Sequence, residues 1–168
     1  MIEKLVIFVS LLSPVGYPLG FDLEQREIAS VIITEAQRLN EDPYTLMAIA
    51  WQESRIKRGR FSHTGDVGIF QINWNFWGKR VWKYTSYEQF VKDMNNPVHA
   101  TVGAVVVLKE MRLYKTCRQV NLFACYNGGP AWQKSKNIGK IMQYARSVER
   151  RRQQFKTRYP DWVKKADQ

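Results

Sequence analysis

Apolar residues at Ile28, Val31, Ile32 and Leu39 recur at helical spacing and predict a first helix over Leu23 to Leu39. The stretch from Asn40 to Pro43 interrupts it. Asp42-Pro43 then predicts a new start, because aspartate accepts from free first-turn amides and proline fits the first helical position. That second helix is expected to run from Pro43 to about Ser54. From Arg55 to Trp82 no helical period is visible, and Gly59, Gly65, Gly68 and Gly78 fall there; loops around one or two short extended pieces are expected. Asn96-Pro97 marks a further start. The following VHATVGAVVVLKEMRLY holds Val105, Val106 and Val107, which also suit a strand, but its length and capping signal favour a buried helix. Asn121 is placed to cap a short helix through Tyr126, stopped by Gly128-Gly129-Pro130. Ile141, Tyr144, Ala145, Val148 and Phe155 form one stripe of a last helix, with Arg146, Arg150 and Arg151 largely on other faces. The pattern as a whole predicts one mainly α domain, with at most a small β element near 66–73.

The first 20 residues stand apart. Leu5 to Leu12 is an apolar run far shorter than the roughly 20 residues that cross a bilayer. It resembles the core of a secretory signal, yet Glu3 offsets Lys4, Pro14 and Pro18 follow, and no clean small-x-small cleavage site appears. Residues 1–20 are read as a signal-like segment or a retained packing arm, and 21–168 as the folded domain.

Composition narrows the class. Hydrophobic residues make up 45% of the 168 and charged residues 24%, a globular balance. Lys and Arg number 26 against 15 Asp and Glu, a net charge of +11 that favours polyanionic partners: nucleic acid, anionic lipid or an acidic cell wall. Cys117 and Cys125 either form one bridge or are buried thiols. No CxxC or Cys/His cluster is present, and His63 and His99 are isolated, so neither a metal site nor a cofactor is expected.

Leu46, Ile49, Ala50 and Glu53 are spaced i, i+3, i+4, i+7 and share one helix face. That face packs inward, so Glu53 lies at the edge of an apolar surface. Desolvation and the negative end of the helix dipole both raise its pKa, while Arg55, Lys57, Arg58 and Arg60 would lower it if they pointed at it. A carboxyl that keeps its proton near neutral pH is what a general acid needs to protonate a glycosidic oxygen. The plainer reading of a lone glutamate at a helix end is an ion pair with an arginine.

The segments AIAWQES, GIFQIN and ACYNGG shift that balance. Their order and spacing resemble the soluble lytic transglycosylase group of the lysozyme-like superfamily, over about Leu23 to Val148. The resemblance implies a lysozyme-like fold of the goose-type kind and a catalytic domain over 21–168. It implies that Glu53 is the acid/base and that Ser54 helps to orient the reacting group. It further implies that Gly68, Phe70 and Gln71 form the cleft wall beside the scissile bond, with Asn73 ending that segment as a further substrate contact. Tyr126 and Asn127 are implied to line the same cleft, and Tyr144 matches the later tyrosine of the pattern. Phe70 stands where methionine is common, and Gly128-Gly129 replaces the usual alanine-glycine pair.

The implied substrate is the peptidoglycan glycan strand, cut between N-acetylmuramic acid and N-acetylglucosamine to leave 1,6-anhydro ends without a second carboxylate. Asp66 is the only acidic residue between Ser54 and Tyr87. It reads first as a turn residue after Gly65; if it points into the cleft, a hydrolytic lysozyme becomes the better expectation. In NWNFWGKRVW, the rings of Trp74, Phe76, Trp77 and Trp82 either pack the core or face sugar, and Trp74 and Trp77 are the candidate substrate contacts. Glu53→Gln is expected to abolish glycan release and to leave thermal stability nearly unchanged. Two rivals of other classes are a non-enzymatic wall-binding or tail-channel protein and a nucleic-acid-binding basic protein, for which VERRRQQFKTR is the supporting stretch. Small members of the resembled group imply a phage virion, with tail proteins as partners, or the periplasm, with a secretion complex as partner.

Overall fold

The computed structural model describes residues 20–118 and 121–163 of the chain. The expectations for the N-terminal segment therefore fall, but for Gly20, outside the described residues. Helix α1 (Leu23–Arg38) opens on a reciprocal cap: the Gln25 amide donates to the Asp22 carboxylate and the Asp22 amide donates to Gln25 Oε1, each at 2.9 Å. Helix α2 (Pro43–Ser54) opens as expected, with the Tyr44 amide donating to Asp42 Oδ1 at 3.1 Å and proline in the first turn. Every residue of α2 from Pro43 to Ala50 is buried. A helix that is buried all round needs neighbours on all sides; α1 and the helix over Ile138–Arg158 supply most of that packing, and the helix over Pro97–Arg112 adds to it.

After Ser54 the chain turns out of α2 through two successive left-handed residues, Arg55 (φ 60°) and Ile56 (φ 58°). The small sheet is where the sequence expects it. Strand β1 (Asp66–Val67) pairs antiparallel with β2 (Ile72–Asn73), Asp66 opposite Asn73 and Val67 opposite Ile72. Gly68 sits between them at φ +78°, and a Cβ there would lie 2.0 Å from the Met94 carbonyl oxygen, so only glycine lets the two backbones approach.

Two helical elements of eight residues or more are not among those read from the pattern. Trp74–Val81 is a wide-turned π-helix rather than loop or extended chain, started by the Asn73 side chain accepting from the Phe76 amide. Its widened turn breaks the 3.6-residue period that would announce it. Helix α3 (Tyr87–Asn95) starts at Ser86, whose hydroxyl accepts from the Gln89 amide. Helix α4 (Pro97–Arg112) starts as expected at Asn96, which accepts from the Val98 and His99 amides. Helix α5 (Leu122–Gly128) follows Asn121, whose side chain makes no cap bond, and the 21-residue α6 (Ile138–Arg158) ends the helical frame. Cys117 and Cys125 are joined as a disulfide across a Cα–Cα distance of 5.5 Å, tying the turn before α5 to the middle of that helix.

The buried set runs from Phe21 through α1, α2, α4 and α5 to Trp162 as one hydrophobic cluster. Trp162 closes it at the C-terminal end, stacked on Tyr44 and Tyr159, while the Tyr44 hydroxyl donates to the Tyr159 carbonyl at 2.7 Å. Among the described residues no helix is long and apolar enough to cross a membrane.

Candidate active site

Glu53 lies in the last turn of α2 and opens into a cleft of about 500 Å³ walled by the β1–β2 turn, the π-helix, α4 and α5. Its carboxyl is pushed up to about 7. Burial is the largest cause, the nearby negative charge of Asp66 adds to it, and the hydrogen bond from Tyr144 works against it. That bond runs from the Tyr144 hydroxyl on α6 to Glu53 Oε1 at 2.5 Å. Three of the four cations that follow Glu53 in sequence are engaged elsewhere. Lys57 pairs with Asp22, Arg58 with Glu24 and Glu27, and the Arg55 guanidinium lies over the Trp51 ring. None of them neutralises Glu53, which removes the ion-pair reading of this glutamate.

Tyr126 on α5 lines the same cleft, its hydroxyl donating to the Phe70 carbonyl at 2.9 Å. Burial and the charge of Glu53 hold both the Tyr126 and Tyr144 phenols well above their usual range, so both stay neutral donors. Ser54 is buried and does not reach the glutamate carboxyl. Its hydroxyl bonds the Ile69 carbonyl at 2.7 Å and the Ala50 carbonyl at 3.2 Å, and accepts from the Lys57 amide. It thereby locks the end of α2 to the segment between the strands. Gly68 and Phe70 likewise act through backbone: Gly68 allows the approach to Met94, and Phe70 is buried with its carbonyl turned to Tyr126. Of the residues expected along this wall, Gln71 and Asn73 line the cleft, joined by Ile72, and Gly68 and Phe70 do not. Gln71 is held at φ 48°, its amide donating to the Gly68 and Arg60 carbonyls at 2.9 Å each.

Asp66 satisfies both sequence readings. It closes the turn, the Ser62 amide donating to its carbonyl at 3.0 Å, and it also lines the cleft. Its Oδ2 accepts from the Ser62 hydroxyl at 2.6 Å and the Thr64 hydroxyl at 2.7 Å, and its Oδ1 from the Asn73 amide at 2.8 Å. Trp77 and Phe76 line the cleft, their rings meeting edge to face. Trp74 does not: it packs on Tyr87 and Phe90, with Gly78 pressed against it, because the wide helix turns its ring inward. Asn127 is exposed at the rim.

Reasoning from sequence passed over Val107 and Met111, which give α4's apolar contribution to the cleft, and the two hydroxyls that hold Asp66. The i, i+4 spacing of the first pair was a usable signal. Ser62 and Thr64 sit in a loop whose closure no periodicity reports. Among the described residues no group of His, Cys, Asp and Glu could hold a metal ion.

The arrangement offers a protonated carboxyl beside aromatic and amide walls, suited to acid catalysis on a carbohydrate oxygen. No curated protein and no solved structure matched the chain. The family model of the transglycosylase SLT domain matches residues 30–148, which takes in α2, the small sheet, α5 and Tyr144 of α6. The chain belongs to the transglycosylase SLT domain family, whose activity is peptidoglycan degradation of the lytic transglycosylase type.

Proposed function

We propose that the protein cuts the β-1,4 bond between N-acetylmuramic acid and N-acetylglucosamine and leaves a 1,6-anhydro end. The observation that carries this is the Glu53 carboxyl, raised to about 7 within a cleft sized for sugar. Glu53 gives its proton to the glycosidic oxygen as the C1–O bond breaks. The acetamido oxygen of the same sugar stabilises C1. The Glu53 carboxylate then takes the proton of the 6-hydroxyl, and the O6–C1 bond closes the anhydro ring. No water enters, and the carboxyl is regenerated. Tyr144 positions Glu53, Tyr126 and Ser54 fix the wall around it, and Gln71, Asn73, Asn127 and Trp77 are proposed sugar contacts.

A second reading rests on Asp66. It lines the cleft and so meets the condition for a hydrolase with two carboxylates. It ranks second because Ser62, Thr64 and Asn73 already occupy its oxygens, which makes it a brace for the turn. Mass analysis of fragments released from purified sacculi separates the two. Anhydro ends, lighter by one water, support transglycosylation; reducing ends would replace it by hydrolysis. Binding without release would make the protein a wall-binding module.

The cell context is part of the same proposal: local opening of the wall for phage genome entry or for envelope machinery, by a virion-borne or periplasmic enzyme. The Cys117–Cys125 bond supports an oxidising compartment of that kind. Nucleic acid is the less favoured partner, since the basic α6 face is partly engaged in ion pairs with Glu149 and Asp42.

A further inference from the structure

Trp51 and Glu53 are two residues apart on α2, about 200° around the helix, so they serve opposite sides of it. The Trp51 side carries a second, smaller cavity of about 120 Å³. Phe21 stacks on the Trp51 ring at 5.6 Å with the planes 6° apart. The Arg55 and Arg151 guanidiniums lie 5.2 and 5.1 Å from the ring centroid. Arg151, Arg158 and Gln154 line the cavity, and no acidic side chain does.

Positive charge thus converges on one ring and one small cavity. Arg38, Arg58, Arg112 and Arg152 each reach a carboxylate. Arg55, Arg151 and Arg158 have no ion pair among the described residues. The repulsion is felt: burial, then the charges of Arg55 and Arg158, make the Arg151 guanidinium easier to deprotonate than usual. Arg55 is also held in the left-handed region at the end of α2, where glycine is the common residue. Like charges gathered against an aromatic wall, with no counter-charge of their own, are complementary to an anion.

We propose that this cavity is an anion site for a phosphate group, gripped by Arg151 and Arg158 with Arg55 and the Trp51 ring at its edge. Guanidinium forks match phosphate oxygens in pairs, and the volume admits one such group and not a chain of them. The phosphate is carried by a lipid headgroup or comes from solution. The site works independently of which glycan reaction the cleft performs.

The test is calorimetric titration of the full chain with inorganic phosphate at physiological ionic strength. The wild type is compared with an Arg151→Gln/Arg158→Gln double variant and with a Lys136→Gln/Lys140→Gln double variant that removes the same charge elsewhere. Folding is checked by thermal unfolding, and Arg158→Gln alone serves if the first variant does not fold. Saturable binding of one phosphate per chain is expected, weakened about tenfold or more in the arginine variants and unchanged in the lysine variant, with sacculus degradation unaffected throughout. Absence of binding to the wild type overturns the proposal, as does equal weakening in the lysine variant. Vesicles of phosphatidylglycerol in phosphatidylcholine identify the source. Retention that the arginine variant loses and free phosphate displaces assigns a lipid headgroup; retention indifferent to the variant assigns a soluble phosphate.

Discussion

The hydrogen bond from Tyr144 to Glu53 opposes the burial that keeps the carboxyl protonated. Removing it therefore raises the carboxyl further. Glycan release by the wild type should fall as pH rises through about 7, and in Tyr144→Phe the midpoint of that fall should move to higher pH while the plateau rate drops; release from sacculi across pH 5–9 measures both. Glu53→Gln should lower release about 100-fold or more. Burial argues against the expectation that this variant leaves stability unchanged. The folded carboxyl is pushed up to about 7 from its ordinary 4.5, so the unfolded chain loses its proton first as pH rises. Below pH 4.5 both states are protonated and nothing is gained; between 4.5 and 7 the wild type steadily loses stability, and above 7 the loss is constant. Chemical denaturation at pH 8 should show Glu53→Gln more stable than wild type by roughly 2–3 kcal/mol, the difference vanishing near pH 4.

At the scale of elements, two connections place the cleft walls. Gly68→Ala must accommodate a Cβ against the Met94 carbonyl at a positive φ, and should cost at least about 2 kcal/mol in denaturant unfolding. The Cys117–Cys125 bond closes a short loop, eight residues apart in sequence, and its reduction should cost about 2–3 kcal/mol, read as a lower thermal midpoint in reductant. These elements differ in how far the sequence announces them. Asp42-Pro43 and Asn96-Pro97 mark the starts of α2 and α4 because capping is a local event between a side chain and the next few amides. The π-helix escapes because its period is not the one sought, and that error carries Trp74 into the cleft when its ring belongs against Phe90. Ser54 shows the other limit: its place in the motif was legible, but its bond to the Ile69 carbonyl depends on a contact 15 residues away.

On the scale of the whole molecule, a mainly α domain with one small sheet was legible because helical apolar periodicity repeats in most long segments. The second cavity was not, since it depends on α6 bringing Arg151 to a tryptophan 100 positions earlier. That helix runs about 30 Å at 1.5 Å per residue. Along it, Tyr144 meets Glu53, Ser147 meets Gln52, Arg152 meets Asp42 and Phe155 meets Trp162. A single rod thus spans from the reacting proton to the aromatic lid of the core. The proposed acid is therefore tied to the core by one continuous helix, so on slow heating lytic rate and tertiary circular dichroism should disappear together in one transition.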